Sequence, residues 1–590
     1  MKTNTYLTMA LAALSLGLAG CNDDDFLSEN PKTVYTLENS FNTAAQVEAS
    51  VNNQYQHIRY WYQNDFFLKG AGTDFFDTPA WRCGQGSSGY SNFANWSTDY
   101  STTYSVFEAM YQLVAYSNQT LDGIEETDLE YDSDEQREGF IAQSRFFRGL
   151  AYLTLGELFG GVPIVTEFYE TARYDFERST RQETYEQAVE DLAYAVENLP
   201  QYPEEAGRVA QGVAGHYLAE AYLALAIIND DDSSYLNKAI AAADDVMSLH
   251  SLMTERFGTR ADASSTSTVG GVEAYYPDGD VFFDLFQAGN LDYEEGNTEA
   301  LWTLQNDLTV YHEYGGNQYL AYPRYFSPVL RDSQWKEEYA ESGANSSPWG
   351  GNINTTLYPG GNTCAYVGGK GVSFFAPTKY LINEIWEGDF EDDMRNNDLN
   401  IRRDFVCLDT LHSRYGTLVT EDMITDASID RFYPIWSKFA PIDDYGYEGV
   451  AAGYDSSRDN MYRDDYAVRL AETYLLRAEA YMRLGNTTSA AADINVLRKR
   501  ADCAYEVQPD EVDIYTILDE RARELFVEER RWCTLLRMES GVAAKQILAH
   551  AMFTADYEYY TGTIDWDLFP FPQAVIDSNT GCVLEQNSGW

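Results

Sequence analysis

Six histidines, His57, His216, His250, His312, His412 and His550, are the side chains whose ordinary pKa suits proton transfer near neutrality. No two stand at i, i+4 and none sits in a His-Glu-x-x-His pattern, so the sequence writes no helical zinc site. A Gly-x-Ser-x-Gly nucleophile turn and a Gly-x4-Gly-Lys phosphate loop are also absent. Cleaving a glycosidic bond takes only two carboxylates, and with 94 acidic residues a count alone does not exclude it. The acidic runs Asp230-Asp231-Asp232 and Asp278-Gly279-Asp280 hold oxygen ligands of the kind calcium takes, although most such runs are solvated faces. No catalytic group, metal ligand or cofactor is therefore expected, a structural calcium being the one exception left open.

The acids stand against 40 basic residues, a net charge of -54. Such a chain repels phosphate backbones, which excludes nucleic acid as a partner. Its start reads as a targeting segment: Lys2, then the apolar run Leu7 to Leu18, closed by Leu18-Ala19-Gly20-Cys21. That ending is similar to the lipobox of bacterial lipoproteins, in which the thiol of Cys21 takes a diacylglyceryl group and becomes the new N-terminus. An ordinary secretory signal with a chance cysteine is the alternative. The run Asn22-Asp23-Asp24-Asp25 resembles the export signal that sends lipoproteins of the Bacteroidota to the outer face of the outer membrane; a solvated linker reads the same way. Six further cysteines, Cys83, Cys364, Cys407, Cys503, Cys533 and Cys582, match no zinc spacing. Their pairing is not legible, and Cys503 and Cys533 read as core.

The elements that must position any site are helices. The pattern Ala-Tyr-(Leu or Met)-x-Leu recurs at 151–155, 221–225 and 480–484, each time in an amphipathic stretch followed by a second helix. The three pairs fall at about 142–199, 213–249 and 466–501 and resemble tetratricopeptide repeats. Between the second and third lies a Gly-, Asn- and Tyr-rich insertion, about 254–465, and a second loop-rich zone covers about 61–104. Long irregular segments on a rigid scaffold usually carry function.

Ordered short motifs then point to a family. Gln143-x-Arg145-Phe146-x-Arg148-Gly149-Leu150-Ala151-Tyr152 precedes Phe159-Gly160-Gly161-Val162-Pro163-Ile164. Arg469-Leu470-Ala471-Glu472-x-Tyr474-Leu475-Leu476-Arg477-Ala478-Glu479-Ala480 leads to Asp493-Ile494-Asn495-x-Leu497-Arg498-x-Arg500-Ala501. Glu529-Arg530-Arg531-Trp532, Phe569-Pro570-Phe571-Pro572 and the ending Gln586-Asn587-Ser588-Gly589-Trp590 complete the series. The chain resembles the RagB/SusD family of outer-membrane lipoproteins along nearly its whole length. One departure is Thr534, where the family usually has an aspartate, which questions one buried hydrogen bond. Glu472, Arg477, Arg498, Arg500, Glu524 and Arg531 are expected to form ion pairs and caps that fix helix packing.

The resemblance implies a mostly α, SusD-like fold with large loop-rich insertions and few short strands: residues 1–20 a lipoprotein signal peptide, 21–38 the lipidated cysteine and a linker, and 39–590 one domain. It implies a protein anchored in the outer membrane by lipid, facing outward as the lid of a SusC-like TonB-dependent transporter, which captures oligosaccharides without turning them over. Trp and Tyr faces would stack on sugar rings while polar side chains take the hydroxyls. The zone containing Trp61, Trp81 and Trp96 corresponds to the family segment that supplies an acid, an arginine and a stacking tryptophan. The expected ligand contacts are Trp96 and Trp81, with Arg82, Asp74, Asn95 and Tyr100 among them. Tyr322, Trp335 and Trp349, with Tyr319 and Tyr358, form a second group. Core packing is the alternative for any one tryptophan, and Trp302, Trp386, Trp436 and Trp532 read as core. A peptide or another nutrient as ligand, and a tetratricopeptide-like protein adaptor, remain open.

Overall fold

Helix boundaries follow the capping residues. Ser133 accepts a hydrogen bond from the Gln136 amide and starts a helix at Asp134 that stops at Gly160, whose φ of 76° only glycine adopts freely. Thr180 and Glu183 form a reciprocal capping box for the next helix, and Pro200 follows its end. Asp232 accepts from the Ser234 and Tyr235 amides, and Asn486 from the Ser489 amide. The computed structural model describes residues 41–64, 66–77, 93, 96–169, 171–261, 268–269, 272–273, 279–306, 320–330, 332–355, 363–425, 431–440, 461, 463–550 and 564–590.

The helices that form the scaffold are α1 (Ala44–Asn64), α2 (Ser101–Glu125), α3 (Asp134–Phe159), α4 (Arg181–Asn198), α5 (Gln211–Ile228) and α6 (Ser233–Leu249). After the insertion come α7 (Leu470–Arg483), α8 (Thr487–Arg500), α9 (Ile514–Leu525), α10 (Arg531–Arg537) and α11 (Val542–His550). Each of α1 to α8 packs on the next, including α1 on α2 across the loop zone and α6 on α7 across the insertion. The third helix pair, α7–α8, thus continues the array that the second pair, α5–α6, leaves off. Helix α5 is buried on nearly every face because α4, α6 and α7 all pack on it. Glycines let α3 and α4 approach: a Cβ on Gly156 would stand 2.6 Å from the Tyr185 ring, and one on Gly149 2.8 Å from Leu192.

The strands are short. β1 (Ala300–Leu304) and β2 (Asp465–Arg469) pair antiparallel, with Ala300 opposite Arg469 and Leu304 opposite Asp465, and so tie the two ends of the insertion together. Phe76–Asp77 pairs with Ala376–Pro377 and Ile401–Arg402 with Ile435–Trp436. The insertion and the 61–104 zone share an aromatic core, built from Phe66, Phe75, Phe326, Phe375, Trp386 and Trp436 among others. A separate core joins α1 to α6 with the C-terminal segment through Trp532, Trp566, Phe569 and Phe571. Among the described residues no helix is long and apolar enough to cross a membrane.

Candidate functional site

Among the described residues, four rings assigned to the ligand face, Trp96, Tyr322, Trp335 and Trp349, are instead core. Trp96 is only 7% exposed. Its ring stacks on Tyr100 at 4.8 Å and on Trp566 at 5.6 Å, with Trp532 at 5.6 Å and Phe67 at 5.8 Å. Tyr100 is half-buried against it at the start of α2. Asp74 is fully buried: Arg531 donates to it from Nε at 3.0 Å and from Nη2, and Gln546 donates at 2.9 Å. Burial pushes this carboxyl up, but the Arg531 guanidinium outweighs it and holds the group charged. Trp335 is buried and stacks on His412 at 4.6 Å. Trp349 is buried and donates its indole N–H to the Val406 carbonyl at 3.0 Å. Tyr322 is buried between Lys69 and Asp465, to which its hydroxyl donates. Glycine- and serine-rich sequence around these residues did not expose them, since their partners arrive from distant segments. Cys21, Trp81, Arg82, Asn95, Tyr319, Tyr358 and Asp278 lie outside the described residues.

The acidic runs weighed for calcium have protein partners. Asp230 and Asp231 turn the chain between α5 and α6, Asp231 pairing with Arg483 at 3.1 Å, and Asp232 caps α6. Asp280 accepts from the Phe283 amide, Asn397 and Asn400. Among the described residues no group of three or more His, Cys, Asp and Glu is placed to hold a metal ion.

The charged residues expected to lock helices do so, and they form a buried seam between the insertion and α7–α9. Arg395 reaches Asp393 at 2.6 Å, Glu520 at 2.9 Å and Glu524 at 3.0 Å. Arg500 pairs with Glu299 at 3.1 Å and with Glu524, and Arg469 pairs with Glu524 at 3.2 Å, with Glu299 and with Glu528. Glu472 pairs with Arg521, Arg477 with Asp493 at 2.6 Å, and Arg498 with Glu520 at 2.8 Å. Thr534 keeps the hydrogen bonding that its departure from the family pattern put in question. Its hydroxyl donates to Glu529 at 3.0 Å and accepts from Arg521 at 3.1 Å.

Aromatic residues also converge at a surface groove. Between α1 and α2 an open groove of about 530 Å³ is lined by His57, Tyr60 and Trp61 of α1, by Phe66 and Phe67 just past it, and by Ser101, Thr102, Ser105, Glu108 and Gln112 of α2. Tyr325 and Phe375 of the insertion complete it. Phe66 stacks on Tyr325 at 4.0 Å and Tyr325 on Phe375 at 6.0 Å, so three rings form one wall. Tyr60 stands 56% exposed at the rim. His57 bonds through Nε2 to the Ala109 carbonyl at 2.8 Å, so Nε2 carries the hydrogen, and burial holds its pKa below the usual range. The ring is neutral at physiological pH. The groove thus offers apolar ring faces beside hydroxyl, amide and carboxylate groups, and suits a ligand with a flat apolar face and a polar edge. Glu108 is the only carboxylate among its described lining residues. A smaller pocket of about 310 Å³ is lined by Phe107, Tyr111, Pro163, Phe168, Phe176 and Leu584. The amides there are already engaged: Asn118 donates to the Val165 carbonyl and Asn579 bonds both backbone groups of Phe176. Sequence reasoning placed Trp61 in a loop-rich candidate zone but missed Tyr60 and Tyr325. An exposed tyrosine on a helix gives no local sign of facing an insertion that begins two hundred residues later.

Comparison with known proteins gives matches at both ends of the chain. A family model described as SusD family matches residues 444–590, and one described as starch-binding associating with outer membrane matches residues 25–223. SusD-like protein P2 of Formosa agariphila is 28% identical over 221 residues, 36% of this chain. Starch-binding protein SusD of Bacteroides thetaiotaomicron is 31% identical over 203 residues, 31% of this chain. These stretches span 41% and 35% of the two relatives' own lengths. Among solved structures, a SusD homolog from Bacteroides thetaiotaomicron superposes with a TM-score of 0.64 at 17% identity, over 94% of this chain and 98% of that one. A laminarin-binding SusD-like protein superposes with a TM-score of 0.61 at 20% identity, over 93% and 100%. At these identities the structural likeness establishes the fold.

Proposed function

This chain belongs to the SusD/RagB family, and from that premise we propose that it is a glycan-binding surface lipoprotein that captures oligosaccharides and hands them to a SusC-like TonB-dependent transporter. The observation that carries the binding reading is the groove between α1 and α2. Sugar rings present apolar C–H faces and hydroxyl edges, and the half-buried ring of Tyr325 and the exposed ring of Tyr60 beside the polar face of α2 offer both contacts. A relative named for starch binding and a structural neighbour that binds laminarin support the same class of ligand.

The described lining supports binding without turnover. Glycosidases flank the scissile bond with two carboxyl groups, and the described lining supplies Glu108 alone. Anchoring through Cys21 at the outer membrane is supported by the lipobox and by the family description of outer-membrane association. The test is titration calorimetry of the soluble protein, beginning at Asn22, against a panel of oligosaccharides, repeated on Tyr325→Ala. Removing a stacking ring is expected to weaken binding by roughly 1–3 kcal/mol, taking base–aromatic stacking as the guide, about tenfold to a hundredfold in affinity. Binding of peptides in place of every saccharide would shift the ligand class. Capture of folded proteins alone would favour an adaptor.

A further inference from the structure

The charge of the groove narrows the ligand class further, and this step rests on the groove being the saccharide site. Among its described lining residues the one formal charge is the carboxylate of Glu108, and no lysine or arginine is present. Lys69, two residues past the lining Phe67, is engaged by Asp465 at 3.2 Å, and the buried Arg531 by Asp74. An anionic ligand entering such a site loses its hydration without gaining a cationic partner. The long-range field acts in the same sense, because the chain carries a net charge of -54. At physiological ionic strength charges beyond about 8 Å are largely screened, so the lining decides. We propose that the groove selects uncharged oligosaccharides and turns away polyanionic ones such as uronate or sulfated chains.

The experiment compares two sets of probes by titration calorimetry at about 20 mM and about 500 mM salt, spanning weak to strong screening. Malto-, laminari-, xylo- and manno-oligosaccharides form the neutral set, and oligoalginate, oligogalacturonate and sulfated carrageenan fragments the anionic set. At least one neutral probe is expected to bind, with an affinity that moves less than about threefold between the two salts because no counterions are released. The anionic probes are expected to bind at least about tenfold more weakly, and Glu108→Lys to narrow that ratio severalfold at low salt. Tyr325→Ala, with Tyr60→Ala as the variant that leaves the core untouched, ties the binding to this groove. An anionic probe that binds as tightly as the best neutral one and is lost in both tyrosine variants would overturn the charge selection and leave the saccharide groove standing. Saccharide binding that neither variant alters, or no binding by any probe, would overturn the groove itself and this inference with it.

Discussion

The seam around Glu524 and the groove beside Tyr60 use the same kinds of side chain to opposite ends. In the seam, arginines and carboxylates are fully buried and matched nearly one to one, joining the insertion to α7–α9. In the groove a single carboxylate, Glu108, faces solvent near the exposed ring of Tyr60 and the half-buried ring of Tyr325. Aromatic residues show the same division, with Trp96 closed inside rings from four segments and Tyr60 left open at a rim. Burial among partners from distant segments marks architecture, and an exposed ring at the rim of a groove marks a place for a ligand.

Acid breaks this contrast most strongly. Burial pushes the carboxyls of Glu479 and Glu520 up, but the arginines around them outweigh it and hold both at about 2. Unfolded, they would titrate near 4.3. Their stabilisation is therefore full above that value and lost as the pH falls toward 2. His216, held by burial at about 3, acts in the same sense because the unfolded chain takes up its proton first. Asp464, raised by burial and then by Asp292, works in the opposite sense as the pH rises above about 4. Circular dichroism should show maximal stability on the acid side of neutrality and cooperative unfolding between about pH 4 and 2. Stability that stays level down to pH 2 would mean that the seam contributes little.

Glu524→Ala comes next. It leaves Arg395, Arg469 and Arg500 each short of a buried partner and should cost about 3–5 kcal/mol in denaturant unfolding. The affinity of the groove should be unchanged while the variant is folded. Trp96→Ala should cost about 3 kcal/mol, the low end for a buried tryptophan, because its indole N–H is buried without a partner. Tyr60→Ala is the smallest change and inverts the pattern: a melting temperature within about 2 °C of the parent and an affinity lowered about tenfold, ~1.4 kcal/mol. A Trp96→Ala protein that melts normally and loses its ligand would return that residue to the binding face.

The helical scaffold was legible because its signals are local. The Ala-Tyr repeats mark α3, α5 and α7, and the caps Ser133, Thr180 and Asn486 stand beside the helices they start. The seam was legible as a class, since charged residues on apolar helix faces have to pair when buried, though the partners of Arg500 and Arg531 include Glu299 and Asp74 from far along the chain. The ligand face was misjudged for that same reason. Nothing between 61 and 104 announces that Trp96 will meet Trp532 and Trp566, and nothing near Trp335 announces that it will stack on His412. Local flexibility of composition says where loops run, and only tertiary partners say which of their rings stay outside.

The Trp96 cluster also sets a clock. A ribosome adds about 5–20 residues each second, so Trp96 waits on the order of half a minute or more before Trp566 and Phe569 have been made to enclose it. Over that interval its ring, Phe67 and the adjoining face of α2 lack the surface that finally covers them. Closure of this cluster is therefore a late step, which a chain lacking residues 566–569 cannot take.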